Sequence, residues 1–306
     1  MRGLIAILLH AFLLAGAARA GDCAGRILDG PDYIGAPLCI PADPRRILVI
    51  DPTFSLGMSL EMGLPVVAAP LTGMSDPILK AQAEAKGIQN IGFVLEPSME
   101  AVVSSRPDLI IGSAMAESHL PMLTRIAPTV LVTPQDWRAY YRAMARIAGR
   151  EADLAALMAP LDTRIADLRA RMPKTTVSII RITPWDFQVY LDAPDAWAPF
   201  ALLHELGVRR SAYERQSDPT GLKRPDWEQM AGLDGDRLLY IIGGSNGSAE
   251  GGRWNEVSRN PLWRMLPAVR AGQVFPLDPG LWMEFSGIGS AHRVLNDVER
   301  LVIGHP

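Results

Sequence analysis

Residues 151–172, EADLAALMAPLDTRIADLRARM, constrain the fold more than any other stretch of this chain. Leu154, Leu157, Met158, Leu161, Ile165, Leu168 and Met172 recur at three- and four-residue spacing, which puts them on one face of a helix. Glu151 and Asp153 fall in its first turn, Arg169 and Arg171 in its last, a polarity that suits the helix dipole. Pro160 has no amide hydrogen and is expected to bend the helix or to start its second part. On either side lies a segment of similar size in which short apolar runs alternate with helical patterns. A single long helix between two α/β halves suggests two lobes on a stiff spine. A surface helix within one large domain satisfies the same pattern, and on pattern alone it is preferred.

In the first half the run Ile47-Leu48-Val49-Ile50, ended by Asp51-Pro52, reads as a buried strand. Further strands are expected at 65–69, 109–111 and 129–132, and helices at 54–62, 76–86 and 120–126. Such alternation argues a mostly parallel sheet covered on both faces. The ligand crevice of such a sheet lies beyond the carboxyl ends of its strands. That points to the loops at 51–53, 71–75 and 113–118, with Met74 and Ser113 as candidate contacts. Asp136 caps a helix carrying Trp137, Tyr140, Tyr141, Met144 and Ile147, closed by Gly149; its aromatic face reads as core. In the second half strands are expected at 177–182, 187–191, 238–242 and 274–277, and helices at 200–206, 227–233 and 288–303.

The first twenty residues read as an export signal: Arg2, an apolar stretch over 4–15, and the small-residue site Ala18-Arg19-Ala20. The mature chain is then expected to begin at Gly21, in the periplasm. Cys23 and Cys39 are its only cysteines. In an oxidising compartment they can pair and staple residues 21–43 around Asp29-Gly30-Pro31, which contributes about 3 kcal/mol in the chain-entropy model. Asp22 argues against a lipid-modified Cys23; a pair of free thiols is the other alternative. A net charge of −3 with no basic run argues against a nucleic-acid partner.

Gly243-Gly244-Ser245-Asn246-Gly247 matches the G-x-S-x-G pattern of serine hydrolases, whose chemistry needs a strained strand-to-helix turn. A Gly/Ser-rich loop follows here instead of a helix, so an exported hydrolase using Ser245 stands only as the rival from another class. His119, His204, His292 and His305 show no metal-helix spacing. No catalytic residue, metal ligand or cofactor is assigned. Trp185, Trp254 and Trp282 each fall in or beside a loop with Gly or Pro, where aromatics suit a large, partly flat or greasy ligand. Ordinary packing explains any one of them as well. Trp197 and Trp263 read as packing residues.

The run NPLWRMLPAVRAG at 260–272, with Pro44-Arg45-Arg46-Ile47 and the segments 96–100, 106–109 and 125–128, carries a family resemblance. Nearly the whole mature chain resembles the iron–siderophore substrate-binding proteins of ABC importers, ferric-hydroxamate type. The resemblance implies two α/β lobes, each a mostly parallel sheet flanked by helices, joined by one long helix, and so reverses the preference above. The lobes would span 44–150 and 173–306, with 151–172 between them. It implies a monomer that captures a ferric siderophore between the lobes and delivers it to an ABC permease. The chelator encloses the iron, so the protein would need no metal ligands or cofactor of its own. A corrinoid, haem or another metal chelate is the alternative cargo. The resemblance also implies one permease-docking glutamate per lobe, at Glu100 and Glu228, although both also suit ordinary helix starts. Hydroxamate-type members hold the iron-bound oxygens with an arginine and a tyrosine of the first lobe; the matching positions here are Val94 and Ala116. A second-lobe tryptophan falls near Thr220, and Trp282 matches an aromatic wall. Arg181, Trp185, Arg224 and Glu284 complete the candidate ligand contacts.

Overall fold

The computed structural model describes residues 23–134, 136–216, 218–243 and 252–304. The expected export signal at 1–20 and the Ser245 motif lie outside the described residues. The chain opens with an antiparallel hairpin of β1 (Arg26–Leu28) and β2 (Leu38–Ile40). The Cys23–Cys39 disulfide closes it.

Short aliphatic runs buried on both faces favour parallel strands with helical crossovers. β3 (Ile47–Val49), β4 (Val66–Ala69), β5 (Gln89–Asn90), β6 (Leu109–Ser113) and β7 (Thr129–Val132) form such a sheet. Its order is β5-β4-β3-β6-β7, parallel throughout. Around it lie α1 (Phe54–Glu61), α2 (Pro77–Ala85), α3 (Met99–Ser104), α4 (Leu120–Leu123) and α5 (Trp137–Ala148). The Asp136 carboxylate accepts from the Ala139 amide at 2.6 Å and caps α5. Gly149, at φ +65°, ends it in the left-handed conformation. The helix expected at 120–126 is present but shorter, as α4, and a 3₁₀ turn, Ala114–His119, leads into it.

α6 (Glu151–Ala170) is the 20-residue spine. Met158, Leu161, Ile165 and Leu168 are buried along the expected face. Of the two expectations for Pro160, a separate second part is not seen: the helix runs through it. Pro160 sits on the exposed side, where the Ala156 carbonyl that loses its donor is left to water. α6 touches both halves. Arg138 of α5 pairs with Asp162 at 2.8 Å, and Arg164 donates to the His292 carbonyl at 3.1 Å and to Asn296 at 2.6 Å.

The second lobe contains β8 (Thr176–Ile182), β9 (Phe187–Tyr190), β10 (Arg209–Arg210), β11 (Leu222–Lys223), β12 (Arg237–Ile242) and β13 (Val274–Pro276). Its order is β11-β9-β8-β12-β13, with β10 also alongside β8. β8, β10, β12 and β13 run parallel; β9 and β11 run against their neighbours. The helices are α7 (Ala198–Glu205), α8 (Gly252–Arg259), α9 (Pro261–Met265), α10 (Pro267–Arg270), α11 (Pro279–Met283) and α12 (Ile288–Val298). A π-helical turn, Glu299–Ile303, extends α12. The helix expected at 227–233 is a 3₁₀ turn, Gln229–Gly232.

Residues 278–298 lie against the first lobe and make the seam between the halves. Glu61 of α1 accepts from the Ile288 and Gly289 amides at 3.1 and 2.7 Å, at the amino end of α12. Phe285 meets Phe54 and Trp137 edge-on, with centroids 6.1 and 5.4 Å apart. Two glycines permit this approach. A Cβ on Gly57 would overlap the Ser286 carbonyl oxygen, and one on Gly280 would overlap that of Ser75. One apolar core therefore runs through both lobes, from Val49 and Leu56 to Ile179 and Leu202.

Candidate ligand crevice

Strand β3 ends at Val49, two residues before Asp51, and β6 at Ser113, and a crevice of about 180 Å³ opens beyond these ends. The first lobe contributes Phe54, Val94, Ser113 and Met115; the second closes it with Trp197, Met283 and Glu284. The floor is a hydrogen-bonded cluster of four residues, Asp51, Thr53, Ser55 and Tyr140. Asp51, 5% exposed, accepts from the Thr53 amide and hydroxyl at 3.0 and 2.7 Å and from the Ser55 hydroxyl at 3.1 Å. The Tyr140 hydroxyl lies 2.5 Å from that of Ser55 and donates to Asp51 at 3.4 Å. Burial, then the Asp51 charge, pushes the Tyr140 phenol well above its ordinary value, so it stays protonated. Trp197 is the hinge of the wall. Its ring stacks on Phe54 at 5.2 Å and its indole N–H donates to the Trp282 carbonyl at 2.9 Å. A second hollow, about 620 Å³, opens on the other side of Trp197 and is lined by Tyr190, Asp192, Arg215 and Thr220.

The structure sorts the expected contacts. Ser113 lines the crevice. Glu284 also reaches it, but is 4% exposed and ties the lobes together. Its carboxylate accepts from the Ser75 and Asp76 amides at 2.6 and 2.9 Å. Met74 packs half-buried against the shared core, because the loop at 71–75 serves the seam and not the crevice. Trp282 is a correction: it lies on α11 at 0% exposure. Its indole N–H donates to Asp297 at 3.0 Å and its ring meets Phe200 edge-on, so it supports the wall from behind and does not form it. Trp185 is 86% exposed in the β8–β9 turn, outside the crevice.

Arg181 is held inside its lobe, with Nε donating to the Gly243 carbonyl at 2.6 Å and Nη1 to Gln188 at 3.1 Å. Arg224 is exposed and paired with Asp186. Glu100 stands exposed in the first turn of α3, behind the Ser98 cap, and Glu228 stands exposed at the start of the 3₁₀ turn of the second lobe. Val94 lies at the crevice wall, and Ala116 lines a separate small hollow of about 40 Å³ with Ile50, Leu95 and His119. Among the described residues no group of His, Cys, Asp and Glu side chains could hold a metal ion.

Several contributors, among them Phe54, Tyr140, Trp197 and Met283, escaped the sequence reading. Trp197 was assigned to packing, yet it both packs and lines the crevice. Met283 carried no signal, since its role follows from how α11 docks.

Two α/β lobes on one helix, sharing a core and framing a crevice at the strand ends, define a two-lobe binding protein of the helical-spine class. The chain belongs to the periplasmic binding protein family, whose model matches residues 53–281. It is similar to the probable siderophore-binding lipoprotein YfiY of Bacillus subtilis, 28% identical over 273 residues, 85% of this chain and 83% of that one. It is similar to the ferric enterobactin-binding periplasmic protein FepB of Escherichia coli, 29% identical over 297 residues, 88% of this chain and 90% of that one. A FhuD-fold periplasmic binding protein of Bacillus subtilis superposes with a TM-score of 0.74 at 24% identity, covering 87% and 97% of the two chains. Holo-ViuP superposes with 0.72 at 22% identity, covering 92% and 96%. Family and disulfide together make this an extracytoplasmic protein.

Proposed function

We propose that the protein captures a ferric siderophore in the crevice between its lobes and hands it to the permease of an ABC importer. The observation that carries this reading is the crevice itself. Its aromatic and aliphatic walls sit at the carboxyl ends of the first-lobe strands, and Trp197 and Met283 close it from the second lobe. The names of the relatives, siderophore-binding and ferric enterobactin-binding, agree with it. The protein acts in the periplasm as a monomer that binds and releases its cargo unchanged. Glu100 and Glu228, one on each lobe, dock on the permease. Native mass spectrometry of protein purified from iron-starved source cells tests the reading. A co-purifying mass of iron plus a chelator is expected; a corrinoid, a haem or no adduct contradicts it.

A further inference from the structure

This inference rests on the siderophore reading and narrows it to a charge class. The charged side chains that line the crevice are Asp51 and Glu284; among the described residues no lysine, arginine or histidine lines it. Both Asp51 oxygens are engaged by Thr53 and Ser55, so this carboxylate is fixed at the floor. The first-lobe wall above it is apolar, with Val94 and the 70% exposed Met115.

The second-lobe arginines near the end of β8, just after β11 and at the start of α8 do not line the crevice and are engaged within their own lobe. Arg181 holds the Gly243 carbonyl and Gln188, Arg224 holds Asp186, and Arg253 donates to the Pro184 carbonyl with its guanidinium 4.7 Å from the Phe187 ring. Arg215 lines the hollow beyond Trp197, but Asp192, Asp195 and Asp218 line it too. His119, beyond the first-lobe wall, is bonded to the Leu95 carbonyl at 3.3 Å. A polyanion entering the crevice would shed water beside two carboxylates with no counter-charge to receive it.

We propose that the crevice selects an uncharged or cationic ferric chelate and rejects polyanionic ones. The carboxylates supply the repulsive element that specificity requires, and the apolar wall reads the hydrocarbon scaffold of the chelator.

The test titrates the full mature chain with an uncharged ferric tris-hydroxamate and a polyanionic ferric tris-catecholate, following tryptophan quenching at neutral pH. The uncharged chelate is expected to bind at least about tenfold more tightly. Met115→Arg, a change at an exposed position, places a cation on the wall and is expected to narrow that ratio. Equal or tighter binding of the polyanion overturns the charge preference while leaving siderophore capture intact. An unchanged ratio in M115R overturns the assignment of the wall. Binding of neither chelate overturns the siderophore reading and the preference with it.

Discussion

Arg293 of α12 forks onto Asp76 at the start of α2, with Nη1 3.0 Å from Oδ1 and Nη2 on Oδ2, and so joins the last helix to the first lobe. Asp76 has no exposed side-chain surface and also accepts from the Ile78 and Leu79 amides. Removing the cation strands a buried carboxylate. Arg293→Ala is expected to cost about 3 kcal/mol in urea unfolding. Arg293→Lys should recover only part of it, because an ammonium cannot fork. A loss under about 1 kcal/mol in R293A would show that the pair does not hold the seam.

Glu61 is the second anchor of that seam, and it is sensitive to pH. Burial raises its carboxyl above the ordinary 4.5, against the lowering effect of the Gly289 and Ile288 amides and the Tyr141 hydroxyl. The folded state therefore holds this proton at pH values where the unfolded chain has lost it. Its contribution is fully present below the unfolded value and is lost as pH rises through the folded one. Glu61→Gln turns an amide NH₂ toward groups that donate and is expected to cost about 1–3 kcal/mol. The gap between wild type and E61Q should shrink as pH rises above about 4.5, measured by denaturant melts at several pH values. A gap that widens over that range would contradict the assignment.

The glycines of the seam give a steric prediction. Gly57→Ala and Gly280→Ala each drive a methyl into a carbonyl oxygen of the facing segment. Each is expected to cost about 1–3 kcal/mol, read as a lowered thermal midpoint. Gly207→Ala, where no heavy atom lies within 4 Å, is the control for strain at positive φ without a seam clash. Midpoints at least as high as that of G207A in both seam variants would place the lobes further apart than described.

Much of this fold is written in local patterns. The strands around Ile47, Val130 and Leu238 are aliphatic runs bounded by turn residues, and the α6 face follows from spacing alone. The loops after β3 and β6 were legible as crevice loops because strand ends in parallel sheets carry ligand sites. What stayed hidden is tertiary. Nothing in the periodicity of residues 278–298 says that they fold back onto α1 and α2, so Trp282 looked like a wall and Trp197 like packing. Glu284 likewise read as a ligand contact because its donors, the Ser75 and Asp76 amides, lie more than two hundred residues earlier.

The two tryptophans therefore part in experiment. Trp197→Ala opens the crevice and is expected to weaken chelate binding by about 2 kcal/mol, in line with a buried aromatic anchor. Trp282→Ala removes a fully buried ring and is expected to cost about 3–5 kcal/mol of stability. Fluorescence titration beside thermal melts separates them. A W282A protein that keeps full stability but loses binding would return that ring to the ligand.

Glu100 and Glu228 lie away from the crevice lining, one at a helix start on each lobe. The double change to alanine is expected to leave chelate affinity intact and to abolish uptake in cells, with each single change weaker, because two linked contacts gain from effective concentration. Normal import by the double variant would refute the docking role; lost chelate binding would place these acids in the fold or the site.

Filling the crevice tests siderophore capture between the lobes most directly. Ala114 lines it, half-buried, between Ser113 and Met115. Calorimetric titration of a ferric siderophore into wild type and Ala114→Trp is the measurement, with melts to confirm that both chains are folded. The account predicts one chelate per wild-type chain and at least about a hundredfold weaker binding in folded A114W. Equal affinity in the two proteins, or no binding by wild type, would contradict it.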